Sequence, residues 1–121
     1  MSIILAHTDT PAGRAAREFA VREARRRDAD LILFPVDDAE PDPRAPELGG
    51  LDPDRVRVRR PDPRSRSAVG DLVDATGDEG VEAVVVGVRR RSPVGKILLG
   101  SAAQQIILEA ECPVITVKPE A

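Results

Sequence analysis

The residues most suited to chemistry are concentrated between Gly87 and Ser101, a stretch that reads GVRRRSPVGKILLGS. Arg89, Arg90 and Lys96 place cationic side chains beside Gly87, Gly95 and Gly100, and Ser101 adds a hydroxyl. The stretch follows an unbroken apolar run, Ala83–Val86, and precedes an alanine- and isoleucine-rich pattern, so it joins a strand to a helix. At such a junction backbone N–H groups point outward, the helix dipole adds partial positive charge, and glycine lets a ligand approach the main chain. The chemistry implied is capture of an anion such as phosphate. The same composition also fits a plain connection that keeps its arginines in water.

Little else in the chain offers a reactive constellation. The Gly95-Lys96 pair is not a Walker motif, because its spacing from Gly87 is wrong and Ile97 stands where a magnesium-binding hydroxyl is needed. His7 is the single histidine and Cys112 the single cysteine, which excludes an intrachain disulfide and any site needing several of either. No Ser-His-Asp or Cys-His pattern is present, so no catalytic residue is assigned and slow hydrolysis of a bound phosphate compound is the most these residues support. No metal site is expected.

The elements that must position this loop follow from periodicity. Ile3–His7 reads as a buried strand, closed by Thr8, Asp9, Thr10, Pro11 and Gly13. A helix follows, with Thr10 as N-cap, Pro11 in its first turn and Ala12, Ala16, Phe19, Ala20 and Ala24 on one stripe. Its last turn, Arg25-Arg26-Arg27, is expected to be solvated. Leu31–Val36 is a second apolar strand. The proline-, glycine- and acid-rich segment from Asp37 to Asp54 is expected to be an irregular crossover with one helical turn near Pro46–Leu48. Arg55–Arg59 alternates arginine and valine, as an edge strand with one wet face would. Val69, Leu72, Val73 and Thr76 mark a helix, Val81–Val86 the deepest strand, Leu99 to Ala110 a helical stripe running to about Glu111, and Val114–Val117 a last strand.

This alternation specifies a single α/β domain over residues 1–121, with a five-stranded, mostly parallel sheet and helices on both faces. Ligands of such sheets sit beyond the carboxyl ends of the strands, where strand order reverses. The formal net charge of −3 gives the molecule no general attraction for nucleic acid, and with only two aromatic residues, Phe19 and Phe34, it lacks stacking platforms for bases. The apolar run at the start is too short for a signal or membrane segment, and with the lone cysteine this places the protein in the cytoplasm.

Three segments carry a resemblance that covers nearly the whole chain: IILAHTD ending in Asp9, the strand leading into GVRRRSPVGKILLGS, and AAQQIILEAECPVITVK. Together they resemble the universal stress protein family. The resemblance implies a flavodoxin-like, Rossmann-like fold of strand order 3-2-1-4-5, a role in stress response, and an adenine nucleotide, ATP or AMP, with or without Mg2+. Nucleotide-binding members use a Gly-x2-Gly-x9-Gly-Ser/Thr loop. Gly87, Gly100 and Ser101 match it, while Arg90 occupies the second glycine position and either obstructs the phosphate or binds it through its guanidinium. By position, Asp9 and its neighbours Ala6, His7 and Thr8 would meet adenine or ribose, and Val36 would offer backbone groups to adenine. Gly87, Gly100 and Ser101 would hold ribose and phosphates, with Arg89, Gly95 and Lys96 alongside. The resemblance also implies a homodimer through Val114–Val117.

Two other functions compete. One is a family member that has lost nucleotide binding and works as a dimeric protein-interaction module. The other is a phosphoacceptor receiver domain, onto whose acids and lysine Asp9, Asp62 and Lys118 could be laid, although only one acid follows the first strand.

Overall fold

The computed structural model describes residues 1–91 and 96–119. Its core is a five-stranded sheet in which every neighbouring pair is parallel, ordered β3-β2-β1-β4-β7. These strands are β1 (Ser2–His7), β2 (Asp30–Pro35), β3 (Val56–Val58), β4 (Val81–Gly87) and β7 (Val114–Val117). Counted along the sheet, this is the 3-2-1-4-5 arrangement expected, and the fold is α/β and Rossmann-like. The remaining strands, β5 (Arg89–Arg91) and β6 (Lys96–Leu98), form a separate antiparallel hairpin.

The central strands are continuous apolar runs because both faces are covered. Ile3, Leu5, Leu31, Leu33, Ala83 and Val85 pack under α1 (Pro11–Arg27), whose Ala16, Ala20 and Ala24 are fully buried. Alternate residues Ile4, Ala6, Ile32, Phe34, Val84 and Val86 face α2 (Ala68–Ala75) and α3 (Ser101–Glu109). As expected, Thr10 caps α1, its Oγ1 accepting from the Gly13 N–H at 2.9 Å, and Pro11 follows it. One helix covers one face where two cover the other. Part of the difference is made up by the proline-rich crossover, which holds two 3-10 turns where one was expected: Pro46–Leu48 seats a buried Leu48 in the α1-side core with Ala45 and Leu51 packed around it, and Pro53–Arg55 follows.

The expected solvated turn at Arg25–Arg27 differs in one respect. Glu23, only 6% exposed, accepts a hydrogen bond from Arg27 Nε at 2.7 Å and pairs with Arg26, and these guanidinium bonds hold its carboxyl below the usual range. Two further expectations need correction. The stripe assigned to the last helix, Leu99, Ala102, Ala103, Ile106, Ile107 and Ala110, is less buried than its periodicity suggested: Ala103 and Ile106 are buried, but Leu99 and Ile107 are each 38% exposed, and α3 stops at Glu109. It lies toward the end of the sheet, with α2 as its helical neighbour. The junction between β4 and α3 is also not a simple loop, since it folds back on itself as β5 and β6. No helix among the described residues is long and apolar enough to cross a membrane.

Candidate functional site

A cleft of about 180 Å3 opens beyond the carboxyl ends of β1 and β4, the point from which the sheet grows in opposite directions. Such a switch point leaves a crevice because the crossovers on either side leave to opposite faces. Its inner wall is apolar, built from Ala6, Val36, Val86, Ala103 and Ile106. Its polar groups are Thr8, Thr10, Arg89 and Ser101. Of the residues singled out from sequence, the structure brings Ala6, Thr8, Val36, Gly87, Arg89, Gly100 and Ser101 together here.

Others are placed elsewhere. His7 and Asp9 line a different cavity of about 370 Å3, with Arg17, Glu40, Asp42 and Glu47. The reason is the pleat of β1: Ala6 faces α2 and α3, so His7 turns to α1. His7 is 5% exposed, and burial, followed by the charge of Arg17, lowers its pKa against the opposing pull of Asp37 and Asp9. Asp9 is held at the exposed rim, its N–H donating to Asp37 Oδ2 at 2.9 Å and its carboxylate 3.5 Å from Arg14 Nη1. Asp62, the second acid of the receiver-like reading, lines a third cavity with Arg59 and Asp71, so Asp9 and Asp62 share no pocket. The backbones of Arg90 and Lys96 belong to the hairpin, where Arg90 pairs with Ile97 and Lys96 with Arg91. Gly95 lies outside the described residues.

The cleft glycines have different physical reasons. A Cβ on Gly87 would lie 2.6 Å from the carbonyl carbon of Ala12 and 3.0 Å from its Cβ, so this glycine lets the first turn of α1 close on the end of β4. Gly100, by contrast, has φ of −65°, and a Cβ there would meet nothing within 4 Å among the described residues. Neither packing nor backbone conformation requires glycine at 100. It is the N-cap of α3 and supplies no side-chain cap, leaving the cleft side of that helix start open. Val36 donates its N–H to the His7 carbonyl at 3.1 Å, so a contact between its backbone and a base falls to its carbonyl.

Sequence reasoning missed Thr10 and Ala12 as cleft residues, because the approach of α1 to Gly87 is a tertiary contact. It also missed Val86, Ala102, Ala103 and Ile106; Val86, Ala103 and Ile106 are buried positions whose cleft-facing role periodicity cannot separate from packing. Among the described residues no group of histidine, cysteine or acid side chains could hold a metal ion.

Comparison with known proteins agrees with this architecture. The model of the universal stress protein family matches residues 54–118. A universal stress protein of Mycolicibacterium smegmatis is 36% identical over 126 residues, covering 97% of both chains. Among solved structures, the universal stress protein from Archaeoglobus fulgidus superposes with a TM-score of 0.67 at 23% identity, over 97% of each chain. The same protein in complex with dAMP gives 0.60 at 21% identity, over 97% of this chain and 96% of that one. A universal stress protein in complex with cAMP gives 0.56 at 20% identity, over 98% of each. The chain belongs to the universal stress protein family.

Proposed function

We propose that this protein binds an adenine nucleotide, ATP or AMP, in the cleft between β1, β4 and α3, and that occupancy of the cleft is the signal its partners read in a cytoplasmic stress response. The observation that carries this reading is the unexplained space at Gly100. Neither packing nor dihedral angle demands glycine there, yet its absent side chain leaves the start of α3 open beside Ser101 and Arg89. A helix N-terminus of this kind favours a phosphate oxygen. The apolar wall of Ala6, Val36, Val86 and Ile106 suits the flat face of a base, and Thr8 is placed to reach a ribose. Solved relatives of the same fold in complex with dAMP and cAMP support the choice of adenine. A Mg2+ ion would enter with the nucleotide, since no protein cluster among the described residues is built to hold one.

We also propose that two copies pair through β7. The Pro113 and Val117 carbonyls accept from Val84 and Val88 N–H at 3.0 and 2.9 Å, so with the period of two the backbone groups of Val114 and Thr116 face outward. An edge with unpaired backbone groups and half-buried Val114, Ile115 and Val117 invites a second strand.

Thermal unfolding with and without millimolar Mg-ATP or AMP tests the nucleotide reading. Ligand at about a hundred times Kd stabilises by roughly 2.7 kcal/mol, which raises the melting temperature by several degrees. No shift with either compound would refute it and leave the protein-interaction reading.

A further inference from the structure

We propose that the cavity of about 370 Å3 on the α1 side of the sheet is a second ligand site, built for a small zwitterion that carries one carboxylate and one ammonium group. It is separate from the adenine cleft, because the pleat of β1 sends His7 and Asp9 to one face and Ala6 and Thr8 to the other. Its size falls within the roughly 300–1,000 Å3 usual for small-molecule sites. Two polar groups of its inner wall lack partners. His7 is 5% exposed, and its ring makes no hydrogen bond among the described residues. The Nε of Arg17 is buried and likewise meets no acceptor among them. Buried polar groups are paired in nearly all folded chains, so two orphans on one cavity wall mark a place where a ligand oxygen is wanted.

The charges around these groups call for both signs on one ligand. The carboxylates of Asp9, Glu40, Asp42 and Glu47 line the cavity with Arg17, yet among the described residues none forms an ion pair with its guanidinium. Asp9 is taken by Arg14 and Glu40 by Arg60, which leaves Asp42 and Glu47 without a cation among the described residues. His7 adds no charge to balance them at neutral pH, since burial and then Arg17 lower its pKa against the pull of Asp37 and Asp9. It supplies one N–H and one lone pair. A simple anion would gain Arg17 but face Asp42 and Glu47, and a simple cation would gain those two and leave Arg17 unpaired. A zwitterion satisfies both ends, its carboxylate accepting from Arg17 and His7 and its ammonium donating to Asp42 and Glu47. The crossover sets these acids in place. Asp42 Oδ1 accepts from the Arg44 N–H at 2.9 Å, the Ala45 N–H donates to the Asp42 carbonyl at 3.1 Å, and buried Leu48 pins the turn that carries Glu47.

The test is calorimetric titration of the full chain at neutral pH with glycine, γ-aminobutyrate and ε-aminocaproate, zwitterions of increasing length, and with butyrate and butylamine as their single-charge halves. A charge-assisted contact is worth roughly tenfold or more in affinity, so the best-fitting zwitterion should bind about tenfold tighter than either half. Arg17→Gln should bring that zwitterion down to the level of butylamine. Asp42→Asn combined with Glu47→Gln should bring it down to the level of butyrate. Circular dichroism checks that each variant is folded, and the comparison of probes on the native chain needs no variant. Zwitterions that bind no better than both halves, or a preference untouched by either set of substitutions, overturn the proposal. The adenine reading rests on the opposite face of the sheet and stands or falls by its own titration.

Discussion

Replacing Gly87 and Gly100 in turn by alanine separates the fold from the site. The new methyl at position 87 meets backbone, 2.6 Å from the Ala12 carbonyl carbon, so no side chain can swing aside and either α1 or the end of β4 must move. Overpacking by a methyl group costs about 1–3 kcal/mol, and the loss of unfolded-state freedom returns only ~0.4–1 kcal/mol. The net destabilisation is therefore about 1–2 kcal/mol. For a chain of 121 residues this lowers the melting temperature by roughly 3–8 °C. At position 100 the added methyl finds open space in an unstrained conformation. There the unfolded-state gain of ~0.4–1 kcal/mol roughly cancels the poorer N-cap of alanine, and the melting temperature should stay within about 2 °C of the native chain. Calorimetry of both variants, with and without AMP, reads the difference. Gly87→Ala is expected to be the unstable protein, and Gly100→Ala the stable one with impaired binding. An unperturbed Gly87→Ala, or a Gly100→Ala that binds AMP as the native chain does, would refute the division of roles.

Glu23→Gln should lower stability at neutral pH by about 1–2 kcal/mol, the buried-pair cost reduced because Arg26 is largely exposed. The Glu23 carboxyl titrates below its ordinary value in the folded state, so its contribution is complete above that value and lost as pH falls through the folded pKa; the variant's acid unfolding curve should be correspondingly flatter. His7 also has a lowered pKa, so it favours the neutral folded form above about pH 6.5 and the protein should weaken as pH drops below that value. His7→Gln should show less change in melting temperature between pH 7.5 and 5.5; an identical pH profile would contradict the buried placement. Thr116→Pro removes an outward N–H from β7 without touching its ladder to β4, so under the proposed edge pairing sedimentation should find a dimer for the native chain and a folded monomer for the variant. A dimer that survives the proline rules out edge pairing.

The sheet was legible because its central strands are buried on both faces, leaving Ile3–Ala6, Leu31–Phe34 and Ala83–Val86 as uninterrupted apolar runs. The turn at Pro46–Leu48 was equally visible, since proline and glycine confine where a helix can form. The β5–β6 hairpin was read as loop because Arg89-Arg90-Arg91 shows no alternation of apolar and polar residues, unlike the arginine–valine alternation that marked the equally short β3. The grouping of Ala6, His7, Thr8 and Asp9 as one surface contradicted a signal already present. The alternation of β1 separates Ala6 and Thr8 from His7 and Asp9, and the structure divides them between two cavities accordingly. The requirement for Gly87 could not be read from its neighbours, because the atoms that impose it belong to Ala12, far away in sequence.

The hairpin changes what Arg90→Gly would test. In a free loop, glycine at position 90 would only widen the path of a phosphate. In β5, residue 90 is the middle of a three-residue strand paired with Ile97, and glycine weakens such a strand through its larger unfolded-state entropy, by ~0.5–1 kcal/mol. That pairing is also what sets Arg89 beside the start of α3. If Arg89 holds the phosphate, loosening β5 should weaken AMP binding several-fold while adenosine affinity stays constant. If Arg90 obstructs, the same substitution should tighten AMP and ATP together. Tighter AMP binding therefore shows that Arg90 obstructs, whereas weaker binding against unchanged adenosine shows that β5 supports the phosphate, and Arg89→Ala then tells whether Arg89 or Arg90 is the residue that holds it.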